Sequence, residues 1–413
     1  MIILNIANQF DQIHINTSYK RQVFQCLLDT FQKKLVQVTP EEIIRQKTAI
    51  YFNKKLETPE NMIFTEQALT HWVANQPGRA DIVIGRKEND EIHAVAVIEC
   101  KEPMKQLTAQ VYEQCYFYAN TLAAEYLIIT NGIDIRGWHL NEQDDWDEMS
   151  VIPSYYDMLN KNISIEKSIE DEYIRYTCKE LFDISVADLY ETGYIGEDTP
   201  KELMPHIINF AECLYDTRYE IKPLKLKNFE IIEDLGVSYR GYNDASGGGF
   251  GTGDYRSILI KDKQDNNQII NIGIQVTGKT QNDPRYGNRQ GQSVLVISIQ
   301  DFEVDWMIVQ INLNKYLKIH DNKMSLFHNG SLPMKNARKD ELISIINSKN
   351  SKMIFQNQIY LGDFPSNKLL YIDDPEAESL IANLIEYTLL RYEYKLNISK
   401  KNKSEREKYC AKR

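Results

Sequence analysis

Residues 78–101, GRADIVIGRKENDEIHAVAVIECK, constrain the fold of this chain more than any other stretch. Two apolar runs, 82–84 and 94–98, flank a polar turn, Lys87-Glu88-Asn89-Asp90, and the pattern predicts a β-hairpin with strands rich in β-branched residues. Asp81 opens the first strand; Glu99 and Lys101 close the second. Alternation along a strand puts Glu99 and Lys101 on one face and Cys100 on the other. Two acids and a lysine ending an apolar hairpin are costly to bury without partners. The set suits a chemistry in which the acids hold a hard divalent cation through oxygen and the lysine handles the attacking water or the developing charge. A surface hairpin with incidental charges would show the same short pattern.

The neighbouring segments extend the pattern. TPEEIIRQ occupies 39–46, FTEQAL 64–69, QCYFY 114–118 and LIITNG 127–132. With Asp81-x(17)-Glu99-x-Lys101 between them, this ordered set resembles the PD-(D/E)XK nuclease superfamily, and within it the N-terminal nuclease domain of type I restriction enzyme R subunits. The resemblance covers about residues 35–140. It implies an α/β, restriction-endonuclease-like core: a mixed sheet flanked by helices. It also implies Asp81 and Glu99 as ligands of Mg²⁺ or Mn²⁺, joined by the Cys100 carbonyl, with Lys101 as the catalytic lysine. Gln114 and Tyr118 match that domain's QxxxY pair, which supports DNA contact or cleavage. Without the resemblance they read as a satisfied glutamine and a core tyrosine. The family adds one further acid to the metal site, and two candidates exist here. Glu42 lies at a helix start, where capping and the helix dipole suffice to explain it. Glu66 matches the family's separate glutamate more closely and is taken as a third, outer ligand.

At 413 residues the chain is long enough for two or three domains. Its 42% hydrophobic and 26% charged content is that of a globular protein, and no apolar run approaches the ~18 residues of a membrane span. The N-terminal MIILNIANQFDQ has no basic segment ahead of its apolar residues, so no signal peptide is expected. The six cysteines show no CxxC or zinc spacing, which fits reduced thiols in the cytoplasm. The net charge of −11, with 14 basic and 21 acidic residues in 1–150, argues against a broad basic nucleic-acid face. A metal site, however, needs local acids.

In chain order, an apolar stripe predicts a helix over 18–36, and Thr39-Pro40-Glu41-Glu42 predicts a helix start with Thr39 as cap. A helix is expected over 104–124, strands over 126–130 and 133–140, and an acidic loop at 142–148. The expected domains are a nuclease domain over 1–150, a helical connector over 151–225, a second α+β domain over 226–395 and a basic, frayed tail over 396–413. In the second domain, strands are predicted at 257–260, 268–276, 293–299 and 306–313, with a helix over 374–392. GIQVTGKT, 273–280, satisfies the Walker A formula, but its interior alternates like a strand and Pro284 and Gly287 oppose a following helix. The glycine run at 247–253 reads as a flexible loop rather than a phosphate cradle.

The expected activity is divalent-metal-dependent hydrolysis of DNA phosphodiester bonds, in restriction or antiviral defence. The competing readings are a non-catalytic nucleic-acid or nucleotide-binding regulator built on a nuclease-like fold. Expected partners are DNA, further copies of the chain in a homodimer or larger homo-oligomer, and a small-molecule or protein trigger at the second domain, with no membrane. The resembled R subunits continue into a helicase motor; no convincing motor motif follows here.

Overall fold

The computed structural model describes residues 4–89, 91–103, 105–160, 175–183, 185, 189–190, 192–243, 249–284, 287–301 and 304–410. The chain divides into two units, Met1–Asp171 and Glu172–Arg413. In order, the first holds β1 (Leu4–Asn5), α1 (Ala7–Phe10), β2 (Tyr19–Arg21), β3 (Phe24–Asp29), β4 (Lys34–Gln37), α2 (Pro40–Lys54) and β5 (Ile63–Ala68). It continues with β6 (Arg79–Glu88), β7 (Glu91–Cys100), α3 (Ala109–Thr121), β8 (Tyr126–Thr130), β9 (Asp134–Leu140), β10 (Trp146–Glu148) and α4 (Tyr155–Leu159).

The hairpin forms as its pattern predicts. Ile82 pairs with Ile98 and Glu88 with Glu91, and Asn89 takes a left-handed φ of +49° at the turn. β7 then pairs in parallel with β8, from Ala96–Tyr126 to Cys100–Thr130. A parallel neighbour requires a crossover, which α3 supplies. The sheet order is β1-β9-β8-β7-β6-β5, with β10 on β9, so β7 is central. Its apolar run is therefore buried on both faces. Ile82, Ile84, Ile98 and Cys100 pack with Ile44 and Phe52 of α2. Val83 and Val97 pack with Cys115 and Ala119 of α3. The result is a mixed sheet with a helix on each face. α2 begins as expected: Thr39 Oγ1 accepts from the Glu42 N–H at 3.0 Å, and Pro40 occupies the first position.

Three local expectations are corrected. Residues 18–36 are not a helix; β2, β3 and β4 form a small antiparallel sheet there, with Tyr19 opposite Cys26 and Leu28 opposite Leu35. Gln22 and Lys33 take left-handed φ values of 54° and 51°, which a helix cannot accommodate. A short apolar stripe fits either period, and strand pairing decided it. α3 begins at Ala109, later than expected, and residue 104 lies outside the described residues. Within the acidic stretch, β10 adds to β9, with Trp146 opposite Leu140.

The described residues of 151–225 are divided between the two units. Tyr155 and Met158 of α4 belong to the first unit's core. Helix Met204–Tyr215 is apolar nearly all round, so it must be buried, and it lies in the second unit's core with Ile258, Ile272 and Ile297. Residues 161–174 lie outside the described residues. Three of the expected strands fall inside Gly249–Asp262, Asn267–Thr277 and Gln292–Asp301 of a six-stranded antiparallel sheet, and the fourth, 306–313, lies in Val304–Asn312 except for Leu313, which opens a short helix. The Walker-like formula lies on strand Asn267–Thr277 and the turn after it; strand Thr280–Asp283 follows where a phosphate loop would open a helix. Lys279 Nζ pairs with Asp198 at 2.7 Å. Residues 249–253 of the glycine run are strand, while 244–248 lie outside the described residues. The basic tail is not frayed coil: helix Pro375–Cys410 runs on well past 392. Its end is rich in Lys, Arg and Glu, which are good helix formers, and has no Gly or Pro to stop it.

Two outcomes follow for stability. Gly132, between β8 and β9, has φ +82°, and a Cβ there would run into the Ile44 side chain of α2. Gly132→Ala should lower stability by ~1–2 kcal/mol in urea denaturation of the full chain. His328 is 3% exposed, and its Nδ1 lies 2.5 Å from the Tyr387 hydroxyl. Burial, then the charge of Arg391, depresses its pKa from 6.5 to about 3. A depressed folded value means that its stabilisation is complete above the unfolded pKa and is lost as pH falls from about 6.5 towards about 3. The urea-derived slope over that window should contain up to ~1.4 kcal/mol per pH unit that His328→Gln removes.

Candidate active site

The β6–β7 ladder ends at the Ile82–Ile98 pair, so the next residues on the two strands are Asp81 and Glu99. β5 pairs Thr65 with Ile82 and Gln67 with Ala80, which puts Glu66 level with Asp81 on the other side. Three acids thus stand in one row across three strands. Beyond that row β7 stays with β8, and the Lys101 N–H donates to the Thr130 carbonyl at 2.8 Å. A buried N–H on the parting side needs an acceptor. Asp81 supplies it: the Cys100 N–H donates to Asp81 Oδ2 at 2.7 Å.

Arg45, on α2, meets the row from one face. Its Nε and Nη2 donate to Asp81 Oδ1 at 3.1 and 2.8 Å. Its Nη1 pairs with Glu42 and Glu66, and Glu41 lies 3.7 Å from Nη2. The second oxygen of Glu66 pairs with Arg79 at 2.5 Å. Burial opposes the charge on Arg45, but Asp81, Glu42 and Glu66 outweigh it and hold the guanidinium charged. Burial pushes the Glu42 carboxyl up to about 7, against the pull of Arg45 and Gln46.

Lys101 and α3 define the other side. Glu99 is 3% exposed, and its Oε1 accepts from Lys101 Nζ and from Gln114 Nε2, each at 2.7 Å. Gln114 Nε2 also reaches the Tyr118 hydroxyl at 3.4 Å. Glu99 Oε2 is buried with no hydrogen-bond partner. Burial, and then the negative charge of Asp81, push the Glu99 carboxyl up to about 7. Burial works against the Lys101 ammonium, but the hydrogen bond and charge of Glu99 raise its pKa above the ordinary lysine value.

Residues 40–153 match the family model of the type I restriction enzyme R protein N terminus. The matched span contains every residue of this cluster and points to a restriction-related nuclease function. Comparison with curated proteins gives no significant match, and neither does comparison with solved structures. Among the described residues no helix is long and apolar enough to cross a membrane.

Of the residues singled out from sequence, Asp81, Glu99, Lys101, Gln114 and Tyr118 come together. Glu66 stands in the row, and each of its oxygens pairs with a guanidinium group, one with Arg45 and the other with Arg79. Among the described residues no three His, Cys, Asp or Glu side chains are placed to share a metal ion. Cys100 contributes backbone at the parting of the strands, while its side chain is buried in the core on the α2 side. Sequence reasoning missed Arg45. The signal was present: an arginine three and four residues after Glu42 and Glu41, beside core-facing Ile44 and Ala49.

Because Asp81 satisfies a buried N–H and a buried guanidinium, its loss affects folding as well as chemistry. Asp81→Ala should cost ~2–3 kcal/mol in urea denaturation. Asp81→Asn keeps an oxygen for the Cys100 N–H and should cost less than half of that.

Proposed function

We propose that the first unit is a divalent-metal-dependent endonuclease hydrolysing DNA phosphodiester bonds, in restriction or antiviral defence. One observation carries the reading. Glu99 is held through a single oxygen by Lys101 and Gln114, while its other oxygen is buried without a partner, next to Asp81. A buried carboxylate oxygen with no donor is costly. Two hard oxygen donors, one of them orphaned, fit a Mg²⁺- or Mn²⁺-sized ion, which commonly uses one or two carboxylates and takes its other ligands from water and substrate phosphate.

Asp81 and Glu99 would hold the ion, with the Cys100 carbonyl as the backbone ligand. When bound, such an ion polarises a phosphate and lowers the pKa of a water. Lys101 keeps a proton on Nζ beside Glu99, which suits it to orient the attacking water or to offset charge on the phosphorane-like transition state. Gln114 fixes the Glu99 carboxylate from α3 and ties it to Tyr118. The restriction enzyme family matched by residues 40–153 supports DNA as the substrate.

The test is cleavage of plasmid, linear and single-stranded DNA and of RNA with Mg²⁺ or Mn²⁺. DNA should be cut, cutting should stop in EDTA, and Ca²⁺ should support little turnover. Glu99→Gln should cut the rate ~10³-fold or more. Lys101→Ala should lower it ~10²–10³-fold with a much smaller change in metal affinity. Cleavage that survives EDTA, or a fully active Glu99→Gln protein, would show the proposal to be wrong.

A further inference from the structure

We infer that Arg45 is a positioning residue for Asp81, setting which carboxylate lone pair is left for the metal ion. The inference rests on the metal-dependent reading above. A carboxylate offers about four lone-pair sites. Two guanidinium nitrogens of Arg45, Nε and Nη2, converge on Asp81 Oδ1. The Cys100 N–H takes one site on Oδ2. What remains on Asp81 is one lone pair of Oδ2, and on Glu99, level with it on the next strand, the orphaned Oε2.

The guanidinium is itself immobilised. Arg45 is 6% exposed, and its third nitrogen is anchored to Glu42 on its own helix and to Glu66 on β5. Glu66 is in turn held by Arg79. The planar fork of arginine can grip an oxygen of one carboxylate and still reach two others; the point-like ammonium of lysine cannot. Arg45 thus does for Asp81 what Gln114 does for Glu99: it occupies one oxygen so that the other faces the ion. It touches neither water nor phosphate in this scheme and acts only through Asp81.

The experiment compares the full-length parent, Arg45→Lys and Arg136→Lys. Mn²⁺ affinity is read by calorimetry, DNA cleavage at saturating Mn²⁺, and folding by thermal melting. Arg45→Lys should weaken Mn²⁺ binding ~10–100-fold and lower the saturated rate by a similar factor. Arg136→Lys, a matched change at an arginine paired with Glu148 outside the cluster, should stay close to the parent in both. Should Arg45→Lys fail to fold, Arg45→Gln combined with Glu42→Gln replaces it, since one positive and one negative charge are lost together. An Arg45→Lys protein with parental affinity and rate overturns the inference. So does one that melts lower yet binds Mn²⁺ as the parent does, because Arg45 would then serve the fold alone. A parent that neither binds Mn²⁺ nor cleaves DNA is a different failure, of the metal-dependent reading itself, and it takes this inference down with it.

Discussion

Glu66, Asp81 and Glu99 stand level on three neighbouring strands, at an end of the sheet where little water reaches. Three like charges in a row cannot be buried uncompensated. The cations that balance them come from different places: Arg45 from α2, Arg79 from the start of β6, and Lys101 from just beyond β7. Each carboxylate is thereby fixed in orientation. The compensation is also uneven: both oxygens of Glu66 are occupied, while Glu99 keeps one buried oxygen without a donor.

The position of this row follows from how the sheet is built. β7 is buried on both faces, so its apolar run must end before charged side chains can approach solvent. At that point β6 has stopped pairing and β8 continues, which opens a gap on one side of Cys100. The parallel β7–β8 pair forces a helical crossover, and that crossover brings Gln114 and Tyr118 against Glu99. α2, packed on the opposite face through Ile44 and Phe52, brings Arg45 to Asp81. The same packing that buries the core therefore delivers the polar groups.

The second unit has a different logic. Its six-stranded antiparallel sheet packs on helix Met204–Tyr215 and on the long helix beginning at Pro375. Two sets of its buried polar groups are closed networks. Arg256 is bound by Asp234 and by the backbone carbonyls of Leu214, Asp216 and Tyr219. Asn271 bridges Ser257 and Ser298 on the flanking strands. Such satisfied networks specify one arrangement of the sheet.

Much of this could be read directly from the residues. The continuous, β-branched apolar runs on either side of a polar turn dictated the hairpin, and Thr39-Pro40 dictated where α2 starts, because both signals are local and strong. The spacing of Asp81, Glu99 and Lys101, and of Gln114 and Tyr118, marked the cluster on β6, β7 and α3. Residues 18–36 were illegible because Val23, Leu27, Leu28, Phe31 and Leu35 make a helical stripe, while Leu27, Leu28 and Leu35 serve equally well on paired strands; only pairing across Leu28 and Leu35 decided between them. The helix at 204–215 looked like a connector because sequence cannot say which sheet buries an apolar helix. Glu66 and Arg45 show the deeper limit. Sequence names the charged groups but not their partners, and a carboxylate's role depends on which donors reach its two oxygens. That was settled by strand register and helix packing, which put Arg45 between Glu66 and Asp81 and left Glu99 with an oxygen to spare.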